Sequence, residues 1–236
     1  MQVKNQYVEL PLLKEKQVVL AIKREDLIHP LISGNKFRKL KYNLLRAQES
    51  GHTKIVTFGG AFSNHIAAVS EAAKIANLET IGVIRGEELV HTWHENPTLK
   101  RAHENGMGFK FVSREIYRQR NEPEFLISLR NEFGDFYPIP EGGTNDLAIK
   151  GCEEILIASD MEFDVISVCV GTGGTMAGLI KASGNTQHVL GFPVLKGDFL
   201  SAELKNLTGK VNWSLNPKYH FGGYAKIHED LVHFIN

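Results

Sequence analysis

Three segments of this 236-residue chain set glycines beside side chains able to do chemistry. The first is Gly171-Thr172-Gly173-Gly174-Thr175, which follows the apolar run Val165–Val170 and precedes a helical pattern. A glycine-rich turn between strand and helix aims backbone N–H groups outward at the helix N-terminus, and such a turn holds an anion without needing a basic side chain. No Gly-Lys-Ser/Thr follows, so this is not a Walker loop. The dinucleotide fingerprint fails as well, because Met176 stands where its third glycine belongs. Two readings stay open: a phosphate on a smaller ligand, or an ordinary glycine-rich turn.

The second segment is Gly34-Asn35-Lys36-Phe37-Arg38-Lys39. Lys36 falls in the first turn of a helix, where the macrodipole disfavours a cation. A lysine in an apolar, electropositive corner has part of the cost of neutralisation met by its surroundings and can form a Schiff base with an aldehyde. Lys39, one turn on, shares its face and can meet a phosphate. The plainer alternative is a solvated basic helix start. The third segment is Gly59-Gly60-Ala61-Phe62-Ser63-Asn64-His65, with polar side chains at the carboxyl end of a strand, the edge where open α/β sheets bind ligands. Ser63 and His65 lie too close in sequence for a nucleophile–base pair, and Ser63 or Asn64 could equally be a helix cap. His91, His94 and His103 lack the spacing of a zinc motif, so no metal is expected.

Strands and helices must alternate to position these loops. Strands are expected at Val18–Ile22, Lys54–Phe58, Thr80–Ile84, Phe109–Val112, Phe136–Ile139, Val165–Val170 and Val189–Val194, with Leu231–Ile235 as the last regular segment. The run Val165–Val170, apolar but for Ser167, reads as a strand covered on both faces. Helices are expected after an Asn35 cap, ending at Gly51, and at Ile66–Ala76, Pro97–Glu104 and Glu124–Phe133. Two more are expected at Leu147–Ser159, capped by Thr144, and from the glycine loop through Lys181. The pattern is that of parallel strands joined by crossover helices.

Composition sets the outer limits. Twenty-seven basic residues balance 27 acidic ones, so no net field favours nucleic acid or an anionic membrane. Two cysteines, Cys152 and Cys169, cannot make a disulfide framework. No apolar run reaches the ~18 residues a membrane span needs, and the start, Met1–Asn5, has no signal-peptide apolar region. A cytoplasmic α/β protein is expected.

In order along the chain, Lys23-Arg24-Glu25-Asp26-Leu27, Gly34-Asn35-Lys36-Phe37-Arg38-Lys39-Leu40, Gly59–His65, Pro140-Glu141-Gly142-Gly143-Thr144, Val170–Thr175 and Phe221-Gly222-Gly223-Tyr224 resemble the 1-aminocyclopropane-1-carboxylate deaminase / D-cysteine desulfhydrase family. The resemblance implies a pyridoxal-phosphate enzyme of the tryptophan-synthase-β-like fold (fold type II), with two open parallel-sheet, three-layer α/β domains. The smaller would span residues 40–144 and the larger would combine 1–39 with 145–236. Lys36 would be the Schiff-base lysine, and Ser63 and Tyr224 would act at the substrate. Asn64 would hydrogen-bond the cofactor's phenolic oxygen, Lys39 and Gly171, Thr172, Gly173, Gly174 and Thr175 would hold its phosphate, and Ser63, Asn64 and His65 would contact a small amino-acid substrate. His65 matches the desulfhydrase form of this loop, whereas Phe62 and Ile66 depart from residues common in the family. The implied activity is that of a lyase or deaminase giving a 2-keto acid and ammonia, with sulfide from D-cysteine, in a homodimer. The family's chains also run on past the point matching Asn236, so the larger domain is expected to lack its C-terminal part. The competing readings are a non-catalytic or truncated relative that keeps the fold and the phosphate loop, and a phosphosugar or nucleotide binder, which would leave Lys36 and Ser63 unexplained.

Overall fold

The structure, a computed structural model, describes residues 3–32, 34–195, 197, 199–223 and 226–235. An antiparallel pair, β1 (Asn5–Val8) and β2 (Leu20–Lys23), brackets the short helix α1 (Pro11–Glu15). Helix α2 (Asn35–Glu49) leads into β3 (Lys54–Gly60), α3 (Asn64–Ile75), β4 (Glu79–Arg85), α4 (Pro97–Glu104), β5 (Met107–Val112), α5 (Arg114–Arg118), α6 (Pro123–Phe133) and β6 (Tyr137–Ile139). The remainder is α7 (Asp146–Glu153), β7 (Val165–Val170), α8 (Gly174–Ala182), β8 (His188–Pro193), α9 (Phe199–Thr208), β9 (Trp213–Leu215) and α10 (Glu229–Ile235).

Two parallel sheets carry the architecture. The first has the order β5-β4-β3-β6, with Val56 opposite Ile81 and opposite Pro138. Its strands are buried on both faces. Ile55, Ile84, Met107 and Ile139 pack under α2, α3 and α4, while Val56, Phe58, Val83 and Val112 pack under α5 and α6. The chain turns from β3 towards β4 on one side and returns with β6 on the other. The carboxyl ends of β3 and β6 therefore diverge and leave the crevice in which such sheets bind ligands.

The second sheet, β7-β8-β9, is covered on one face by α7, α8 and α9, with Ile149, Val170, Met176, Ile180, Val189 and Leu204 at its core. Its other face is open along β7, where Val165 is 52% exposed and Ser167 and Cys169 are exposed as well. The double coverage expected of this strand is thus not found. Its apolar run alternates between a packed and an open side.

Three helix ends differ from the sequence reading for local reasons. Gly34, with φ +62°, is the cap residue of α2, and Asn35 is already helical; its amide donates to Thr175 Oγ1 at 2.7 Å. Asn145, not Thr144, caps α7 by accepting from the Ala148 N–H at 2.9 Å. That helix stops at Glu153, and Asp160 accepts from the Ile157 N–H at 2.8 Å to start a separate 3-10 turn over Ala158–Glu162. Leu231–Ile235 lies in α10.

Candidate active site

Glycines set the spacing between α2, α7 and α8. A Cβ on Gly151 would lie 2.0 Å from the Arg38 carbonyl oxygen, and one on Gly178 would lie 2.4 Å from Cys152 Cβ. Backbone contact of this closeness draws the start of α2 against the loop that opens α8. Arg38 fixes the rotation of α2 through a two-pronged pair with Glu25 (3.0 and 2.9 Å), so the Lys23–Leu27 segment acts as an anchor for the lysine-bearing helix.

Lys36 and Lys39 converge on a single acceptor. Both ammonium groups donate to the Gly142 carbonyl, at 3.2 and 3.0 Å. Lys39 also donates to Thr144 Oγ1 at 3.0 Å and to Thr172 Oγ1 at 3.4 Å, so its three donors all meet neutral oxygens. It is 2% exposed, and among the described residues no carboxylate forms an ion pair with it. Burial, then the neighbouring Lys36 charge, lowers its pKa to about 7. Burial likewise lowers that of Lys36. Gly142 can make this turn because its φ is +68°, and a Cβ there would lie 2.8 Å from Thr172 Cγ2.

The loop before α8 borders the same corner. Gly173 is left-handed at φ +78°, nothing fills the space a Gly171 Cβ would take, and a Cβ on Gly174 would lie 3.1 Å from Lys39 Nζ. The first amides of α8 and the Lys39 ammonium thus put a positive field on one small concave region.

At the end of β3, Ser63 caps α3 by accepting from the Ile66 N–H at 3.3 Å, and Asn64, the first helical residue, is exposed. Gly59 is required beneath this turn, since a Cβ would meet Ile66 Cγ1 at 2.5 Å and Ser63 Oγ at 2.9 Å. Ile66 is fully buried, whereas Phe62 is 68% exposed. His65 points into the core, 2% exposed, with Nε2 2.8 Å from Thr57 Oγ1. The Thr57 hydroxyl donates to the Ile139 carbonyl at 2.9 Å, so it accepts from His65, which fixes the Nε2–H form. Burial, then Lys36 and Lys39, hold the imidazole pKa well below its ordinary value, so the ring is neutral. Its buried Nδ1 has no hydrogen-bond partner among the described residues and faces the Gly143 turn, where a Cβ would lie 3.3 Å away. Tyr224 lies outside the described residues.

Lys36, Lys39 and the Gly171–Thr175 loop are therefore brought together, and the 59–65 loop reaches them through His65 and Gly143. The sequence reading missed Thr57, and it assigned Thr144 to a cap. The Gly142-Gly143 pair was the visible signal that this turn was special; nothing local marks the two threonine hydroxyls.

A buried ammonium held only by neutral oxygens, beside a helix N-terminus with a glycine cradle, fits a phosphate monoester. The adjacent half-buried lysine fits that ligand's aldehyde. Residues 3–194 match the pyridoxal-phosphate dependent enzyme family, and the chain belongs to it; its cofactor is pyridoxal phosphate and its architecture is that of the fold type II members. Within this family it is 30% identical over 235 residues to a protein of Pyrococcus horikoshii named putative 1-aminocyclopropane-1-carboxylate deaminase, covering 91% of this chain and 70% of that one. It is also 30% identical over 218 residues to the Arabidopsis thaliana mitochondrial bifunctional D-cysteine desulfhydrase/1-aminocyclopropane-1-carboxylate deaminase, covering 82% of this chain and 54% of the relative. A crystal structure described as an ACC deaminase homologue superposes with a TM-score of 0.82 at 28% identity, covering all of this chain and 76% of the other. Among the described residues no helix is long and apolar enough to cross a membrane.

Proposed function

We propose that this chain is a pyridoxal-phosphate-dependent lyase or deaminase acting on a small amino acid of the D-cysteine or 1-aminocyclopropane-1-carboxylate type. The products would be a 2-keto acid and ammonia, with sulfide from D-cysteine. The observation that carries the reading is the convergence of Lys36 and Lys39 on the Gly142 carbonyl, with no carboxylate among the described residues paired to the buried member.

When bound, the cofactor supplies an aldehyde for amine capture and a pyridine ring that draws charge from the substrate's α-carbon. Lys39 and the α8 amides would hold its phosphate. Lys36, whose burial disfavours the charged form, would hold the aldehyde carbon until the substrate's amine displaces it there, and its freed Nζ would then take the α-proton. Asn64, exposed at the first turn of α3, would orient the ring's phenolic oxygen. The Ser63 hydroxyl, held at the cap, would stand beside the substrate, and the family resemblance gives Tyr224 a role at the substrate too. Buried His65 would act on the substrate only by supporting the backbone of this loop. The chain would divide into a smaller domain, 40–144, and a larger one, 1–39 with 145–236; a cytoplasmic setting rests on the composition, and a homodimer on the family resemblance.

The test is to add pyridoxal phosphate and record the visible band, then supply D-cysteine or 1-aminocyclopropane-1-carboxylate and measure sulfide, 2-keto acid and ammonia. Lys36→Ala should lose the band and at least about 10²–10⁴-fold in turnover. An unchanged band with full turnover in that variant would overturn the assignment.

A further inference from the structure

A second concave feature lies at the carboxyl end of the first sheet, outside the lysine corner. Arg85 at the end of β4, Arg114, Tyr117 and Arg118 of α5, Arg120 just beyond it and Glu141 line a cavity of about 380 Å³. Four arginines line it against one carboxylate, Glu141, which Arg120 reaches at 2.9 Å. Arg114 approaches Glu88 at 3.9 Å on the exposed rim, and neither Arg85 nor Arg118 forms an ion pair among the described residues. Two of the cations approach the ring of Tyr117, Arg85 at 5.7 Å and Arg120 at 5.0 Å from its centre.

One donor here is buried without a partner among the described residues: Arg120 Nε. Tyr117 is 2% exposed, and its hydroxyl lies beside the Glu141 carboxylate without closing a well-formed hydrogen bond to it. Buried donors are normally paired. Both the surplus of positive charge and the idle Arg120 Nε call for an anion seated among them.

We propose that this cavity is a binding site for a tetrahedral oxyanion, a phosphate group, distinct from the nest that faces Lys39. Guanidinium groups arriving from β4, from α5 and from the turn after it present donors in several planes, which suits a phosphate's tetrahedral oxygens and multiple charges. The site adjoins the lysine corner on two sides. Glu141 immediately precedes Gly142, whose carbonyl takes both ammonium groups, and Arg85 Nη2 would lie 3.6 Å from a Cβ on Gly60. An anion that draws Arg120 from Glu141 thereby acts on the turn that holds Lys36 and Lys39.

Calorimetric titration of inorganic phosphate, and separately of glycerol 3-phosphate, an ester without an amine, into the whole chain saturated with pyridoxal phosphate tests the site. A parallel titration of Lys39→Met keeps the cofactor's nest out of the reading, and the visible band reports cofactor loading independently. One-site saturation is expected in wild type and in Lys39→Met. Binding should weaken at least about tenfold in Arg85→Gln/Arg118→Gln, two positions whose loss breaks no ion pair. Tyr117→Phe, which keeps the charges and the packed ring, should weaken it several-fold. Tighter binding of the ester would point to a phosphorylated metabolite as the source, and parity to free phosphate; either supports the site. Heat that fails to saturate for both ligands, equal affinity in the double variant, or full retention in Tyr117→Phe would overturn it.

Discussion

Lys39 is a buried cation with no counter-charge paired to it among the described residues. Its ammonium has three hydrogen bonds, so its donors are satisfied, but its charge is not. In the unfolded chain this group titrates near 10.5 and in the folded chain near 7, because burial and the Lys36 charge disfavour the proton. Between those values the unfolded chain holds the extra proton, so the folded state of the protein without cofactor gains stability as pH rises from about 7 to 10. Urea unfolding at pH 6.5, 8 and 9.5 should show this rise, of the order of a few kcal/mol. Lys39→Met should flatten it, and saturating pyridoxal phosphate, by pairing the charge, should flatten it too. A wild-type slope equal to that of Lys39→Met would remove the argument that the ammonium lies buried and unpaired. The two lysines were legible because glycine, helix start and one-turn spacing are all local signals. Thr144 was not: its neighbours suggest a cap, and the Lys39 and Thr172 contacts that actually use its hydroxyl come from residues far off in the chain. His65 was misplaced in the same way, since nothing near it in sequence reveals that Thr57 lies beneath it.

Among the elements, the interfaces of α7 with α2 and α8 decide where those side chains meet. Gly151→Ala would put a methyl group 2.0 Å from the Arg38 carbonyl, which neither helix can absorb without separating. We expect a loss of at least about 1–3 kcal/mol. At this chain length that lowers the melting temperature by roughly 2–4 °C per kcal/mol. Cofactor affinity should weaken as well, because α2 carries both lysines away from Gly142. Thermal melts with and without pyridoxal phosphate check both effects; a variant as stable and as well loaded as wild type would show that the helices do not touch in this way. Long elements with strong periodicity were readable: α4 falls on Pro97–Glu104, with Pro97 at its first turn and Asn96 accepting from two amides. The strands β1 and β9 and helices α1, α5 and α9 escaped the reading. Most of them are three to five residues long, too short for a period to show, and they are held by what they pack against.

The whole molecule joins its sheets unevenly. The β1–β2 pair is tied to the segment before β7 through Asp160, which accepts from Lys23 at 2.5 Å and from Asn5 at 2.7 Å, whereas the outer side of β7 carries no layer among the described residues. An apolar strand reads as doubly covered only if the sequence can say what covers it, and here the alternation of exposed Val165, Ser167 and Cys169 with packed neighbours overrides the composition. The two cysteines make this difference measurable. Cys169 lies on the open side, while Cys152 is fully buried in the second core, with its thiol pKa pushed up to about 11 by burial. An aromatic disulfide reagent at pH 8 should therefore titrate one thiol rapidly and the other only on unfolding. Cys169→Ser should abolish the rapid phase, and Cys152→Ala should leave it intact. The rapid phase should also be independent of protein concentration if the face is open in the single chain. Slow reaction of Cys169 that quickens on dilution would show instead that a second copy covers β7, and slow reaction at every concentration would show that the chain covers this face itself.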